Sequence, residues 1–393
     1  MQEGRLRTSP IGQLVPFLGP DPATQEVVEG LAFLPDDLPR DLTLSTSAWT
    51  QVNDATAALA RLDGAARLIP EPGLLRQPTL RREAQSTSAL EGTFAPFVEV
   101  MAAGDEEDAT GQSSEMHEIL NFERCARLAF SWPDNRELTV TQLGELQKTL
   151  VSGTAGELSD AGDLRDRVVV IGARGQPLSE ARFVPPPPGD QLRAGVESLL
   201  IWLNNPPNLP SVVQAALVHY QFETLHPFSD GNGRIGRLLV IVHLLRGAII
   251  REPLLVVSPW FERNRERYQD LLLELSCSGD WQTWVEFFAR GVAASATESQ
   301  SKVEALMGLQ QELRERVQKA KRRGSAESIA AGLVGRPFVT GPEMARRYGL
   351  TEQGATNSIQ TLVELGILEQ TNIKSRSGAR LFVSPDVMTI LDG

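Results

Sequence analysis

The chain has 393 residues, 41% of them hydrophobic, enough for two or three domains that each bury a core without disulfide staples. Its 50 acidic and 38 basic residues leave a net charge of −12, a field that repels nucleic acid and anionic membranes and excludes a polyanion-coating protein. Any phosphate-bearing ligand therefore needs a local cluster of positive groups. Cys125 and Cys277 make no disulfide framework and lack metal-ligand spacing, and no apolar run suits a signal peptide or a membrane span. A reducing cytoplasm is the expected setting.

Hydrophobic spacing is helical along most of the chain, as in Leu143, Leu146 and Leu150 or Val213, Ala216, Leu217 and Tyr220, so the fold class is mainly α. Residues 1–46, rich in Pro and Leu without clear periodicity, read as an extended arm. Helices are expected over 48–62 and 80–90, the second stopped by Gly92, and the acidic stretch 104–115 is a solvated loop. Helices over 116–130 and 141–150 precede a β-hairpin over 168–184, two β-rich segments around a Gly/Pro turn, ended by four prolines. Further helices are expected over 191–203, 211–225, 234–245, 262–275 and 280–288, and a separate polar helix over 298–321 reads as a connector. The last 70 residues, with helix, helix, turn, helix and a strand pair, have the pattern of a winged helix-turn-helix. The implied organisation is an arm and helical region over 1–104, a core over 105–295, a helical linker over 296–324 and the winged domain over 325–393.

One segment carries chemistry: His226-Pro227-Phe228-Ser229-Asp230-Gly231-Asn232-Gly233-Arg234-Ile235-Gly236-Arg237. A helix ending near Leu225 presents a histidine at a Gly-rich loop that runs straight into another helix. Such a loop cradles phosphate, because unpaired N–H groups and the positive helix end point at the same place. Gly231 and Gly233 permit close backbone approach, and Asn232 can donate from its amide. Arg234 and Arg237, three apart on one helix face, can fork neighbouring phosphates. Asp230 sits where a divalent cation would bridge phosphate oxygens, and His226 is the one group able to take a proton near neutrality.

Together these residues match His-x-Phe-x-Asp/Glu-Gly-Asn-Gly-Arg-x-x-Arg, and the segment resembles the active-site loop of the Fic family, which mostly transfers AMP from ATP to protein hydroxyls. The resemblance implies a Fic-type helical bundle with ATP as donor and Mg²⁺ as cofactor. His226 would deprotonate a Ser, Thr or Tyr hydroxyl, and Asp230 would hold Mg²⁺. Asn232 would hold the α-phosphate, with the N–H groups around Gly231 and Gly233 as anion hole. Arg234 would grip the outer phosphates and Arg237 the γ-phosphate. Residues 83–92 resemble the family's inhibitory helix, Ser/Thr-x-x-x-Glu-Gly, with Thr87 first and Glu91 as the acid; Glu91 pairing with Arg237 would remove the γ-phosphate partner. The hairpin 168–184 resembles the flap that pairs with a target protein as an added strand. Leu164-Arg165 also resemble family positions, and Ser258, Asn264 and Tyr268 lie where the nucleotide base is held. Gln269 follows Tyr268 where a second aromatic is common, and Gln147 stands where a histidine is common.

The winged segment carries six basic and seven acidic residues, and its second helix, over 352–365, has no Lys or Arg. Lys374, Arg376 and Arg380 on the wing are its main positive feature. That balance favours protein docking or homodimerisation over DNA binding. Two alternatives to AMP transfer remain at this level: the same site removing AMP with Glu91 orienting water, and a nucleotide-sensing transcription regulator.

Overall fold

The computed structural model describes residues 3–69, 71, 73–103, 113–133, 136–172, 177–322, 324–373 and 378–393. The acidic stretch 104–112 and the wing residues Lys374 and Arg376 lie outside them. After a short helix α1 (Glu3–Leu6), strands β1 (Gly12–Pro20) and β2 (Val27–Pro35) form an antiparallel hairpin that pairs Gly12 with Pro35 and Pro20 with Val27. This replaces the extended arm expected over 1–46. Its partner is the flap: the Phe33 N–H donates to the Val184 carbonyl (2.9 Å), and the Phe33 and Phe183 rings lie 5.7 Å apart. The flap itself has, among the described residues, the single bridge Ile171–Phe183.

The helical body comprises α2 (Thr46–Arg67), α3 (Gly73–Leu90), α4 (Phe97–Ala102), α5 (Ser114–Ser131), α6 (Val140–Val151), α7 (Asp190–Asn204), α8 (Ser211–Leu225), α9 (Asn232–Arg246), α10 (Ser258–Arg263), α11 (Arg265–Ser278) and α12 (Trp281–Lys319). Helices α8 and α9 pack together and are buried on nearly every face, the arrangement expected of central helices with little amphipathic contrast. The segment between them is thereby held in the middle of the molecule. No helix among the described residues is long and apolar enough to cross a membrane.

Helix α12 differs from the expected pair of helices. It runs unbroken for 39 residues from a cap in which the Asp280 carboxylate accepts from the Thr283 N–H (3.1 Å), and it packs along α2. Leu306, Leu313 and Val317 are buried in its second half, so the segment expected to be a linker is core. That half looks polar in sequence because its buried stripe is narrow and its outer face carries charged, amide and small residues. Beyond it come α13 (Ser325–Gly332), β3 (Phe338–Thr340), α14 (Gly341–Tyr348), α15 (Glu352–Glu364), β4 (Glu369–Gln370), β5 (Leu381–Val383) and α16 (Pro385–Asp392), with sheet order β3–β5–β4. The Thr340 hydroxyl caps α14 by accepting from the Glu343 N–H (3.3 Å). This unit docks on the body through Arg316–Asp386 (3.0 Å) and through Gly335, which lies against the Leu74 carbonyl.

Leu313→Ala should lower the unfolding free energy by about 2–5 kcal/mol in urea titration, as for a core leucine. A loss under about 0.5 kcal/mol, the size for surface positions, would mean that the segment is a solvated connector.

Candidate active site

Helix α8 ends at Leu225 and α9 begins at Asn232, leaving residues 226–231 to turn the chain. His226 takes the left-handed conformation (φ 48°), which is strained for a side-chain-bearing residue, while its N–H still caps α8 on the Phe222 carbonyl (2.9 Å). Gly231, with φ 88°, supplies the second left-handed position at the start of α9. The Asn232 amide closes the turn: Oδ1 accepts from the Phe228 N–H (2.9 Å) and Nδ2 donates to the Phe228 carbonyl (2.7 Å). Expected to face a phosphate, Asn232 is buried here and shapes the loop. Gln147 donates to the Asp230 carbonyl (3.3 Å).

Arg165 clamps this turn from outside. Its guanidinium donates to the carbonyls of His226 (2.8 Å), Arg167 (3.0 Å) and Pro186 (2.5 Å), tying the loop to both ends of the flap. Burial lowers its pKa to about 10, which leaves it charged. The motif over 226–237 contains no hint of this residue; the resemblance of Leu164-Arg165 to family positions is what singles it out.

Arg237 is almost fully buried in the first turns of α9, and its partners come from α3. Nε donates to the Thr87 hydroxyl (2.8 Å), and Nη2 donates to the Thr87 carbonyl (3.1 Å) and to Glu91 Oε1 (2.6 Å). The expected Glu91–Arg237 pairing is present in the structure. Glu91 lies so close to the loop that a Cβ on Gly233 would collide with its carboxylate. Burial pushes Glu91 up, but the Arg237 charge and hydrogen bond carry it below its usual range. Arg234 points elsewhere: it pairs with Asp230 (2.9 Å) and with Glu118 (3.2 Å), which also accepts from the Thr93 hydroxyl (2.8 Å). Glu118, on α5, carries no sequence signal for this role.

A cavity of about 500 Å³ opens beside these groups, within the range of ligand pockets. Glu91, His226, Gly233, Arg237 and Tyr268 line it, together with Ile171 and Arg182 of the flap. Asp230, Gly231, Asn232 and Arg234 are not part of that lining, and Thr87 acts through Arg237. Of the three residues expected around a base, Tyr268 alone lines the cavity, its hydroxyl 2.8 Å from His219 Nε2. Ser258 is buried against Glu83, and Asn264 bonds the Trp260 carbonyl (2.9 Å).

Burial, then the Arg165 charge, pushes His226 down to about 4, so the imidazole is neutral at pH 7. Its Nδ1 lies 3.3 Å from the Glu223 carbonyl, which can only accept; the ring proton therefore sits on Nδ1 and Nε2 keeps its lone pair. Burial pushes the Glu223 carboxyl, which also lines the cavity, up to about 8. Arg237 thus finds its counter-charge in Glu91 and not in Glu223.

The family model described as Fic/DOC family N-terminal matches residues 49–131, and the Fic/DOC family model matches residues 137–244, which contain the whole loop. Over these residues the chain belongs to the Fic/DOC family. It is similar to a protein adenylyltransferase Fic of Drosophila willistoni, 30% identical over 183 residues, 46% of this chain and 33% of that protein. A probable protein adenylyltransferase of Aquifex aeolicus is 37% identical over 94 residues, 24% of this chain and 27% of that protein. The chain thus spans about a third of the length of these curated relatives. A Fic family protein from Desulfovibrio desulfuricans has a similar fold, with a TM-score of 0.56 over 88% of this chain and 98% of that one at 20% identity.

Three of the four histidines of this chain are held neutral. Burial, then Arg237, takes His219 to about 3, and burial, then Arg246, takes His243 to about 4, alongside His226. As pH falls from about 6.5 toward 4, the unfolded chain takes up protons there that the folded chain refuses, so stability falls. Glu223 and Glu83, both pushed up by burial, work with the opposite sign, two protons against three. The urea midpoint should therefore drop between pH 6.5 and 4.5; an unchanged midpoint would mean that these imidazoles charge freely in the fold.

Proposed function

We propose that this chain is a protein adenylyltransferase, that it transfers AMP from ATP to a Ser, Thr or Tyr hydroxyl of a target protein and releases pyrophosphate, and that the conformation described is its restrained state. The observation that carries the reading is the Arg237–Glu91 pair at the mouth of the Gly-rich loop, beside an unprotonated His226. The names of the curated relatives support the same chemistry.

The proposed roles draw on this geometry. His226 Nε2 takes the proton of the incoming hydroxyl, and the strained turn fixes where it points. Free N–H groups at the start of α9 and the positive helix end receive the phosphate whose bond is made and broken. Arg237 holds the leaving phosphates in line once Glu91 has moved away, and Arg234 and Asp230 brace each other at the loop edge. Asp230 keeps a side chain about a quarter exposed with one oxygen on Arg234, and no cluster of three or more metal-ligating side chains exists among the described residues. A lone carboxylate of this kind suits Mg²⁺ held mainly by substrate phosphates, where the ion would neutralise their charge. Glu91, occupying Arg237, leaves ATP without the contact that aligns it, which is inhibition by competition.

The target strand in this reading docks on the flap. Because the Val184 carbonyl already accepts from Phe33, the edge left for it is residues 168–170, which pair with no strand among the described residues. The C-terminal unit, read as a winged helix, then serves protein docking or homodimerisation in preference to DNA.

Glu91→Gly should raise incorporation of label from α-labelled ATP, into target and into the chain itself, by about tenfold or more, the equivalent of ~1.4 kcal/mol at the barrier. His226→Ala should lower it by about 10²–10⁴, the share of a general base. Equal incorporation by wild type and both variants would sink the mechanism.

A further inference from the structure

A second cavity, of about 730 Å³, lies between the start of α3, the end of α5, the end of α9 and the C-terminal unit. Six arginines line it: Arg76, Arg127, Arg246, Arg251, Arg336 and Arg347. No carboxylate belongs to the lining among the described residues, in a chain whose net charge is −12. Three of the six are oriented by acids that stand outside the lining: Arg76 by Glu252 (2.7 Å), Arg127 by Glu123 (2.5 Å) and Arg336 by Glu343 (3.1 Å). Glu123 is shared with Arg81 (3.0 Å), so positive charge exceeds negative around the cleft. Phe130 and Trp132 add an aromatic wall.

We propose that this cleft is a binding site for a small oligophosphate ligand, separate from the loop site. Guanidinium forks match phosphate oxygens bidentately, and several on one concave wall select a compact, multiply charged anion. The volume suits a molecule of nucleotide size. Duplex DNA fits less well, since α15 carries no Lys or Arg and the field of the whole chain repels a long polyanion. The site exists because the C-terminal unit is docked: Arg336 and Arg347 come from it, and Gly335 rests on the Leu74 carbonyl at the start of α3. Glu91 follows α3 at its other end, about 27 Å away along 18 residues at ~1.5 Å each, so binding in the cleft can be read apart from the loop.

The test is calorimetric titration of the full chain with inorganic tripolyphosphate at two salt concentrations. Arg251 and Arg347 are both exposed, so Arg251→Glu with Arg347→Glu should leave the unfolding midpoint near wild type. That double variant should bind about tenfold more weakly or worse, the loss expected when charge-assisted contacts become repulsive. Arg61→Glu with Arg193→Glu changes the net charge equally at exposed positions outside the cleft and should bind as wild type. If the charge-reversed pair proves unstable, Arg251→Ala with Arg347→Ala should show a smaller loss in the same direction. Binding whose affinity and stoichiometry both cleft variants leave at wild-type values, no saturable binding by wild type, or tighter binding of duplex DNA than of tripolyphosphate would each overturn the proposal. None of these outcomes bears on AMP transfer at the loop.

Discussion

A buried guanidinium must face an anion, and Arg237 is the buried guanidinium on which this structure turns. Its side chain is 2% exposed, so water cannot solvate it, and removing the partner of a buried charge is among the costlier changes a fold can suffer. Burial has neutralised the nearest alternative, Glu223, which leaves Glu91 as the counter-ion. The same need would be met by a substrate phosphate. In the proposed mechanism Glu91 and a phosphate compete for one cation, and the first is supplied by the chain itself, just past the end of α3.

The rest of the site is held in place by bonds of its own. The Asn232 amide closes the loop on Phe228, Gln147 holds the Asp230 carbonyl, and Arg165 ties the loop to both ends of the flap. The β1–β2 hairpin then braces the flap from the other side through Phe33. Glu91 is different: its side chain is 39% exposed, beyond the last turn of α3, and Thr87 holds Arg237 independently of it. Thr87, Arg165, Gln147 and Asn232 thus hold the cation and the loop by bonds that do not involve Glu91.

Charge is used locally throughout. An acidic chain gathers arginines at two concave places, the loop pocket and the arginine cleft, where low exposure or a concentration of like groups outweighs the distant field. The cleft could not be read from the sequence, because its six arginines span residues 76–347 and come from separate elements. Counting charge within the C-terminal segment alone, six basic against seven acidic, hid the fact that two of those arginines face a wall built by the rest of the chain.

Residues 226–237 by themselves bring together a histidine, a Gly-rich turn and two arginines, since their spacing is local to one turn and one helix. The helices from α5 to α9 were legible for a similar reason: each is long enough for its period to register, and α8 was expected over the very residues it occupies. The β1–β2 hairpin was not, because its partner is a flap nearly 150 residues away and its pattern answers to that contact. Helix α12 reads as two pieces because residues 289–297, with Gly291 among small side chains, carry only a weak apolar period. Only tertiary packing could decide that Asn232 turns inward, that Arg165 clamps the loop, and that Arg234 and Arg237, neighbours on one helix, face different acids on different helices. Direction and burial of a side chain are properties of what surrounds it, and the surroundings of this loop are drawn from α3, α5, α6 and the flap.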